Sequence, residues 1–323
     1  MLLRQLEYLT ALARERHFGR AAAACHVSQP ALSVAIRKLE TELGVQLVHR
    51  DRRYDDLTPQ GKELLRWAQQ ALAGVDDLTA EASRLAGKLS GRLRLGVIPT
   101  ALPIVATIAK PLLERHPAVD LEVRSLPSTE IAAQLDSYAI DAGITYLSNE
   151  PLGRLRATPV YDERYVFLTA EPGSGETIPW GELDGVPLCL LTPDMQNRRI
   201  IDAALAEGQA RAGARIETNS ISALLSFARA GWSSVVSDAW LSLYGVPEGM
   251  RALSLTAPDV QQAIGLVTRE SELLPPLVRA LLEELGRTDV AAALGLPHVP
   301  TANEMQHSVA NPPLGEGKLL RPR

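Results

Sequence analysis

The sequence predicts an α/β protein in three parts: a helix-turn-helix head, one long helix and an α/β body. The first 60 residues contain short helical segments and a turn followed by a capped helix start. A seven-residue apolar repeat follows, which is typical of a helix that pairs with another helix. From residue 91 onwards strand patterns alternate with helix patterns, which favours a body built on a mostly parallel sheet.

The head is predicted to contain three short helices and a wing. Phe18–Cys25 forms a short alanine-rich helix, and Ser28 then caps a third helix with Pro30 in its first turn. Gly44 ends this third helix. Residues 45–48 and the polar, basic stretch that follows at residues 49–54 suit an extended hairpin, the wing. One apolar stripe on the third helix is predicted to be buried and comprises Leu32, Ile36, Leu39 and Leu43.

A long helix is predicted from Pro59 to about Leu89, with Thr58 as its N-cap. Its apolar residues keep alternating spacings of four and three residues for three heptads, which favours pairing with a second copy. An ordinary core helix is the alternative. The predicted dimerisation residues are Leu64, Ala68, Ala71, Val75, Leu78, Ala82 and Leu85.

The body alternates predicted strands and helices as far as Glu284. The final stretch, residues 301–323, is rich in Pro, Gly and polar residues and is predicted to be a disordered tail. Alternating or continuous apolar runs predict strands at residues 92–97, 121–124 and 186–191, with helices at residues 102–115 and 200–212.

Composition and motifs exclude several classes of protein. The 323 residues are 46% hydrophobic and 22% charged, values that exclude wholesale disorder. No apolar run approaches the ~20 residues of a membrane span, and the first residues lack the order of a signal peptide. Cys25 and Cys189 form no local motif, so a reducing, cytoplasmic location is expected. Nucleophile, zinc-protease and phosphate-loop motifs are absent from the sequence, so we expect no enzyme, metal or cofactor.

The charge is distributed unevenly and points to DNA binding by the head. Residues 1–62 carry ten Lys/Arg and seven Asp/Glu, a balance of +3. The rest of the chain carries 23 Lys/Arg and 31 Asp/Glu, a balance of −8. On the third helix, Gln29 suits adenine and Arg37 suits guanine or phosphate. Val34 fits a thymine methyl group, with a tolerated surface valine as the alternative, and any single wing arginine could be a solvated charge. The predicted DNA-binding residues are Ser28, Gln29, Pro30, Ser33, Val34, Arg37, Lys38, Arg50, Arg52 and Arg53.

Ordered motifs in the first 61 residues resemble the LysR-type transcriptional regulators. They are FGRAA at 18–22, VSQPALS at 27–33, IRKLE at 36–40, LGV at 43–45 followed by Arg50, and LTPQG at 57–61. The resemblance extends to about Leu296. Two positions depart from the family pattern: Gly19 stands where Ser or Thr often caps the second helix, and Val34 stands where a polar residue is common. The second departure leaves the base preference open.

The resemblance implies that the body consists of two α/β lobes of the periplasmic-binding-protein type, with the effector between them. The implied domains are a winged helix-turn-helix (1–58), a linker helix (59–90), an effector-binding domain (91–300) and the tail (301–323). Lobe 1 comprises 91–161 with 267–300, and lobe 2 comprises 162–266. For each Ser or Thr in the cleft, a plain N-cap is the alternative role. The matching effector-binding residues are Pro99, Thr100, Ala101, Ser128, Thr129, Thr192, Met195, Gln196, Asn197, Arg198, Asn219 and Ser220.

The implied function is that of a sequence-specific regulator, a homodimer or homotetramer that binds double-stranded DNA and a small effector. Aromatic residues make up only 4% of the chain, so a small anion or carboxylate is expected, with Arg198 supplying charge. Residues 192–202 also resemble regulators associated with formate dehydrogenase operons, which makes formate the specific candidate. The alternative is a cytoplasmic small-molecule-binding protein or enzyme on the same scaffold, although such a protein has no use for residues 1–58.

We expect the double variant Val75→Glu/Leu78→Glu to lose association through the long helix, because two carboxylates would enter an apolar interface and lose their hydration. Its affinity for DNA with two half-sites should fall strongly, while its affinity for a single half-site should not. Gel-shift titrations on both DNA lengths measure this difference. Unchanged affinity for the two-half-site DNA would contradict the assignment.

Overall fold

The computed structural model describes residues 1–49, 56–148 and 152–296. The head contains three helices, α1 (Leu3–Glu15), α2 (Phe18–Ala24) and α3 (Gln29–Leu43). His17 caps α2, because its Nδ1 accepts hydrogen bonds from the backbone N–H groups of Gly19 and Arg20 at 3.0 and 3.3 Å. The capping function that is missing at Gly19 is therefore supplied two residues earlier. Ser28 caps α3 as predicted, through a bond from the Ala31 N–H.

The apolar stripe of α3 is buried at three of its four predicted positions. Leu32, Ile36 and Leu39 are fully buried in the head core. The prediction was wrong for Leu43, which is 39% exposed because α3 ends there and Gly44 turns the chain away in the left-handed region. The base of the wing is an antiparallel bridge between Val48 and Leu57. Wing residues 50–55, including Arg50, Arg52 and Arg53, lie outside the described residues.

The linker helix is α4 (Pro59–Leu85), and it begins at the predicted N-cap Thr58. A side chain at position 61 would lie 2.1 Å from the Leu47 carbonyl oxygen, so glycine is required where this helix passes the wing. The helix ends four residues before the predicted Leu89. Gly87, with φ +80°, ends it, and Leu89 is buried in the body core.

The body contains ten strands and seven further helices among the described residues. The predicted helix 102–115 and the predicted strands 92–97, 121–124 and 186–191 are confirmed within a few residues. The strands are β1 (Ser90–Val97), β2 (Ala118–Ser125), β3 (Ala142–Tyr146), β4 (Leu155–Thr169), β5 (Thr177–Pro179), β6 (Leu188–Leu191), β7 (Ala214–Thr218), β8 (Ser233–Ser237), β9 (Arg251–Thr256) and β10 (Gln261–Arg269). The helices are α5 (Leu102–Arg115), α6 (Ser128–Asp136), α7 (Gln196–Glu207), α8 (Ile221–Arg229), α9 (Asp238–Tyr244), α10 (Pro276–Leu285) and α11 (Val290–Ala293).

The body has two lobes joined by two long strands. Lobe 1 has a parallel core of β2, β1 and β3, and lobe 2 has a parallel core of β8, β6 and β7. Between them, β4 and β10 run antiparallel to each other and to their outer neighbours. The predicted mostly parallel sheet is therefore correct within each lobe but wrong at the junction, where the chain crosses between the lobes in both directions.

Helix α7 spans Gln196–Glu207, not the predicted residues 200–212. Its early end follows from packing: a side chain at position 208 would lie 2.7 Å from the Trp180 Cβ, and Gln209 has a φ of +62°. Its early start places Gln196 and Asn197 in the first turn. Among the described residues, no helix combines the length and apolar character needed to cross a membrane.

The linker helix packs against lobe 1 along one side. Ala73 and Ala80 are buried there, and Glu81 forms an ion pair with Arg279 of α10 at 2.9 Å. Half-buried Asp77 lies on the same side. Burial raises its pKa from 3.8 to about 6, and the nearby Asp141 carboxylate adds to this rise.

We expect Asp77→Asn to raise the melting temperature at pH 8 by about 1–3 °C and to leave it unchanged near pH 4. Because its folded pKa is raised, Asp77 destabilises the docked helix above pH 6, and this penalty disappears as pH falls towards 3.8. Thermal melts at both pH values measure the effect. Asp76→Asn, at the adjacent exposed carboxylate, is the matched control. Equal effects of both variants at pH 8 would contradict the assignment.

Candidate functional site

The solvent-facing side of α3 presents the predicted DNA-binding residues. Gln29, Pro30, Arg37 and Lys38 are exposed, and Ser33 is half-buried with its Oγ accepting from Arg37 Nη2 at 3.3 Å. The Ser28 hydroxyl caps the helix. Val34 is 62% exposed. This side of α3 thus combines amide and guanidinium donors with one apolar group, as a helix in the major groove of DNA requires.

The linker helix carries an uncovered apolar face on the side away from lobe 1. Leu64 and Ala68, the first two predicted dimerisation residues, pack into the head core. The remaining five are exposed, including Leu78 at 70% and Leu85 at 73%. Sequence reasoning missed Trp67, which is 67% exposed, although its spacing of four residues from Ala71 places it on this face. From Trp67 to Leu85 the face is about 27 Å long.

A buried polar cluster joins the two lobes around the Tyr146 hydroxyl, at the end of β3. Tyr146 donates to Glu163 Oε1 on β4 at 2.8 Å. The Thr100 hydroxyl lies 3.1 Å from the Tyr146 hydroxyl, and Asn197 Nδ2 of α7 donates to it at 3.4 Å. All four residues are at least 95% buried. The cluster therefore connects lobe 1, lobe 2 and a crossing strand through one oxygen atom.

Glu163 is fully buried, and burial raises its pKa to about 7, partly offset by the hydrogen bond from the Tyr146 hydroxyl. Its second oxygen, Oε2, has no hydrogen-bond partner among the described residues. Burial likewise raises the pKa values of Tyr146 and Tyr165 well above 10. The carboxyl group therefore changes its charge near neutral pH while the tyrosines stay protonated.

A cavity of about 330 Å³ adjoins this cluster in lobe 1. Tyr146 forms part of its wall together with Ser128 and Thr129, at the start of α6, and Thr145. The hydroxyls of Ser128 and Thr145 are buried without a hydrogen-bond partner within the described part of the chain. Two of the twelve buried side-chain atoms without a partner among the described residues therefore belong to residues that line this cavity.

The structure brings together only part of the predicted effector-binding set. Pro99 and Ala101 are buried beside Thr100, and Met195 is buried at the N-cap of α7. Gln196 Nε2 donates to the Ser148 carbonyl oxygen at 2.9 Å, a second bond between the lobes. Half-buried Thr192 precedes this turn, and its Oγ1 has no hydrogen-bond partner in the described ranges.

The structure does not bring Arg198, Asn219 or Ser220 into the Tyr146 cluster. Arg198 binds Asp202, Glu217 and the Leu191 carbonyl oxygen, so its charge is already neutralised within lobe 2. Arg199 donates to backbone carbonyls at positions 193 and 194. Asn219 is exposed, and Ser220 caps α8, the alternative role allowed for a cleft serine. In this structure Arg198 is therefore engaged within lobe 2, and a charge contact from Arg198 to an effector stays a prediction.

Sequence reasoning missed Tyr146 and Glu163, the centre of the cluster. A signal was present in β4, where Tyr161, Glu163 and Tyr165 alternate with polar residues and share one face. A carboxylate in an otherwise aromatic stripe indicates a buried polar site. The two thiols lie outside this cluster: Cys189 is fully buried in β6 and Cys25 is half-buried in the head, and burial raises both pKa values.

Comparison with known protein families identifies both parts of the chain. Residues 3–62 match the family described as bacterial regulatory helix-turn-helix protein, lysR family, and residues 86–289 match the LysR substrate binding domain. The DNA-binding transcriptional dual regulator OxyR of Escherichia coli is 32% identical over 88% of this chain and 95% of that protein. A probable hydrogen peroxide-inducible genes activator of Mycobacterium xenopi is 42% identical over 52% of this chain and 88% of that protein.

Solved structures show the same architecture. A full-length cysteine-to-aspartate variant of OxyR from Pseudomonas aeruginosa has a TM-score of 0.71 at 27% identity, covering 90% of this chain and 97% of that chain. Full-length CbnR, complexed with its target DNA, has a TM-score of 0.64 at 20% identity, covering 89% of this chain and 99% of that chain. The second likeness concerns the fold alone.

We expect Arg37→Ala to reduce discrimination at one base position in each half-site by about 1–3 kcal/mol, as for the loss of a bidentate base contact. Lys38→Ala, at the neighbouring exposed cation, should instead weaken binding to all sequences and reduce its salt dependence. Affinities for a set of single-base operator variants at two salt concentrations separate these effects. An unchanged preference in Arg37→Ala would contradict a base contact.

Proposed function

Because this chain belongs to the LysR family of bacterial regulatory proteins, we propose that a small molecule held between its two lobes controls its binding to DNA. The chain is a DNA-binding transcriptional regulator with an effector-binding domain, and its relatives are regulators rather than enzymes. The observation that carries the proposal is the Tyr146 cluster, which links both lobes beside a cavity with unpaired hydroxyls. A ligand there would change how the lobes meet.

The proposed effector is a small carboxylate or similar anion. The cavity next to Tyr146 is lined by hydroxyl groups and apolar side chains. An anion would be held by hydroxyls and by N–H groups at the start of α6, because Arg198 is engaged elsewhere. Formate is the smallest carboxylate of this class and serves as the first probe. The relatives described above give no support to the formate subgroup, so the choice rests on residues 192–202 alone.

Hydrogen peroxide is the second candidate, since the curated relatives include peroxide-inducible activators. Peroxide reacts with a thiolate, and thiolates form readily where the pKa is lowered. In this chain burial raises the pKa of both Cys25 and Cys189, and the Cys189 side chain is fully buried. Neither thiol has the surroundings of a peroxide sensor, which favours a ligand that binds without covalent chemistry.

For the DNA complex, we propose that α3 enters the major groove and that the apolar face of α4 packs against a second copy. The side of α4 opposite the partner is held by lobe 1, through Ala73, Ala80 and Glu81. A change between the lobes would therefore reach the head through a helix fixed on both sides. Such a protein works where the chromosome is, so we propose the cytoplasm as its location.

We expect Thr100→Val to abolish the response to effector and to leave basal DNA binding intact. The substitution keeps the shape but removes the hydroxyl that contacts Tyr146. Footprinting on the DNA adjoining its own gene, with formate, acetate or hydrogen peroxide added, measures the response. Thr268→Val is the matched control, because Thr268 is equally buried but lies outside the cluster.

Two outcomes would contradict the proposal. A carboxylate response retained in Thr100→Val would remove the cleft from the mechanism. The second outcome is a response to peroxide that disappears in the double variant Cys25→Ser/Cys189→Ala, with no response to formate or acetate. This result would replace the anion effector with peroxide sensing.

A further inference from the structure

His17 closes the first turn of α2, the first helix of the helix-turn-helix. Its Nδ1 atom accepts hydrogen bonds from the backbone N–H groups of Gly19 and Arg20 at 3.0 and 3.3 Å. Both N–H groups lie in the first helical turn, where the helix itself offers them no partner. A neutral imidazole can accept at Nδ1 because its hydrogen atom is then carried by Nε2. The cap therefore uses the neutral form of the side chain.

Protonation of the imidazole removes this cap. A protonated imidazole carries a hydrogen atom on both nitrogens and can only donate. The two N–H groups then face a donor, and a positive charge lies at the end of the helix that favours negative charge. Ser, Thr, Asn and Asp are the usual caps, and none of them gains a positive charge between pH 8 and pH 5, the range in which histidine ordinarily does.

The same imidazole ring lies beside a residue that is predicted to contact DNA. A Cβ atom at position 19 would lie 3.1 Å from His17 Cε1 and 3.5 Å from Gln29 Oε1. The ring and the Gln29 amide therefore border the same small space above Gly19, where α2 approaches the first residue of α3. A larger residue at position 19 would compete for that space. Gly19 thus lets the cap of α2 pack beside the start of α3.

We propose that His17 is a positioning residue for DNA binding that works only while its imidazole is neutral. In that form it holds the first turn of α2 and gives the Gln29 amide a fixed neighbour at the DNA-facing side of α3. When the ring is protonated, the first turn loses its cap, Gln29 loses that neighbour, and the affinity for DNA falls. The head then responds to acidity by itself, without an effector in the body.

The charged groups near the ring do not replace this cap. At the end of α1, the Glu15 carboxylate is engaged by Arg14 at 3.0 Å and by Arg20 at 3.9 Å. The Glu15 carbonyl oxygen also accepts from Arg20 Nη2 at 2.5 Å. Arg16 precedes the ring and is exposed, and α3 contributes the uncharged Gln29. The acid that is nearest in sequence is thus already paired with arginines.

The direction of the pH effect separates this role from a direct contact with DNA. A protonated histidine that touches a phosphate group adds a charge contact, so binding strengthens as pH falls. A histidine that caps α2 has the opposite effect, because its neutral form supports the bound conformation. The affinity should thus be highest above the range in which the imidazole becomes protonated, and it should decrease as pH falls through that range.

Binding of the full-length protein to DNA with a single half-site, at pH 7.5 and 5.5 and constant salt, tests the inference. The wild-type affinity should fall about three- to tenfold at pH 5.5, the effect expected for the loss of one helix cap. His17→Ser offers an acceptor at both pH values, so its affinity should match the wild type at pH 7.5 and show no such fall. His17→Ala has no cap and should resemble the wild type at pH 5.5 throughout.

His26→Asn is the matched control. His26 is exposed in the turn between α2 and α3, and Asn tolerates its φ of +55°. This variant should keep the full pH dependence of the wild type. A second measurement uses operator variants at the base pair whose discrimination is lost in Gln29→Ala. Discrimination at that base pair should decrease in the wild type at pH 5.5 and be retained in His17→Ser.

Three results would overturn the inference. An affinity that rises at pH 5.5, and no longer does so in His17→Ser, would make His17 a phosphate contact. A fall that persists in His17→Ser would place the titrating group elsewhere. An affinity that does not change with pH would leave His17 as a plain cap. None of these results bears on the proposed effector site, because the DNA has a single half-site and no effector is added.

Discussion

One buried hydroxyl group organises the effector domain of this regulator. The Tyr146 oxygen binds Thr100 of lobe 1, Asn197 of lobe 2 and Glu163 of a crossing strand. Buried polar groups must be paired, because an unpaired one costs the full price of its lost hydration. The Tyr146 hydrogen bonds thus help to set the relative position of the lobes, together with the bond from Gln196 to the Ser148 carbonyl oxygen.

The linker helix joins the head to the effector-binding domain. One side of α4 is fixed on lobe 1 by small buried alanines and by the Glu81–Arg279 ion pair. Another side, from Trp67 to Leu85, presents apolar residues to solvent, which is unfavourable unless a second helix covers them. When a second helix covers the apolar side, a movement of α4 relative to lobe 1 also changes the contact of α4 with that helix. In the proposed mechanism, coupling between effector and DNA needs no flexible connection.

The chemistry of the candidate effector site differs from what the curated relatives' names suggest. Those relatives include peroxide-inducible activators, yet here the residues at the lobe junction are hydroxyls, amides and a carboxyl group. Cys189 is fully buried in β6, and burial raises the pKa of both thiols, so the thiolate is disfavoured. Shared architecture is compatible with this difference, because function depends on the side chains of the cleft rather than on the fold that holds them.

The sequence by itself determined the head, the linker helix and the repeating units of the body. Caps such as Ser28 and Thr58 and the buried stripe from Leu32 to Leu39 act through neighbours in sequence, so their spacing is sufficient to predict them. The tertiary structure alone decided which residues meet in the candidate effector site. Arg198 is neutralised by Glu217, which is 19 residues away, and Glu163 meets Tyr146 only because the crossing strand brings them together. Contacts between distant residues depend on how strands are ordered in the sheet, and a local pattern carries no record of that order.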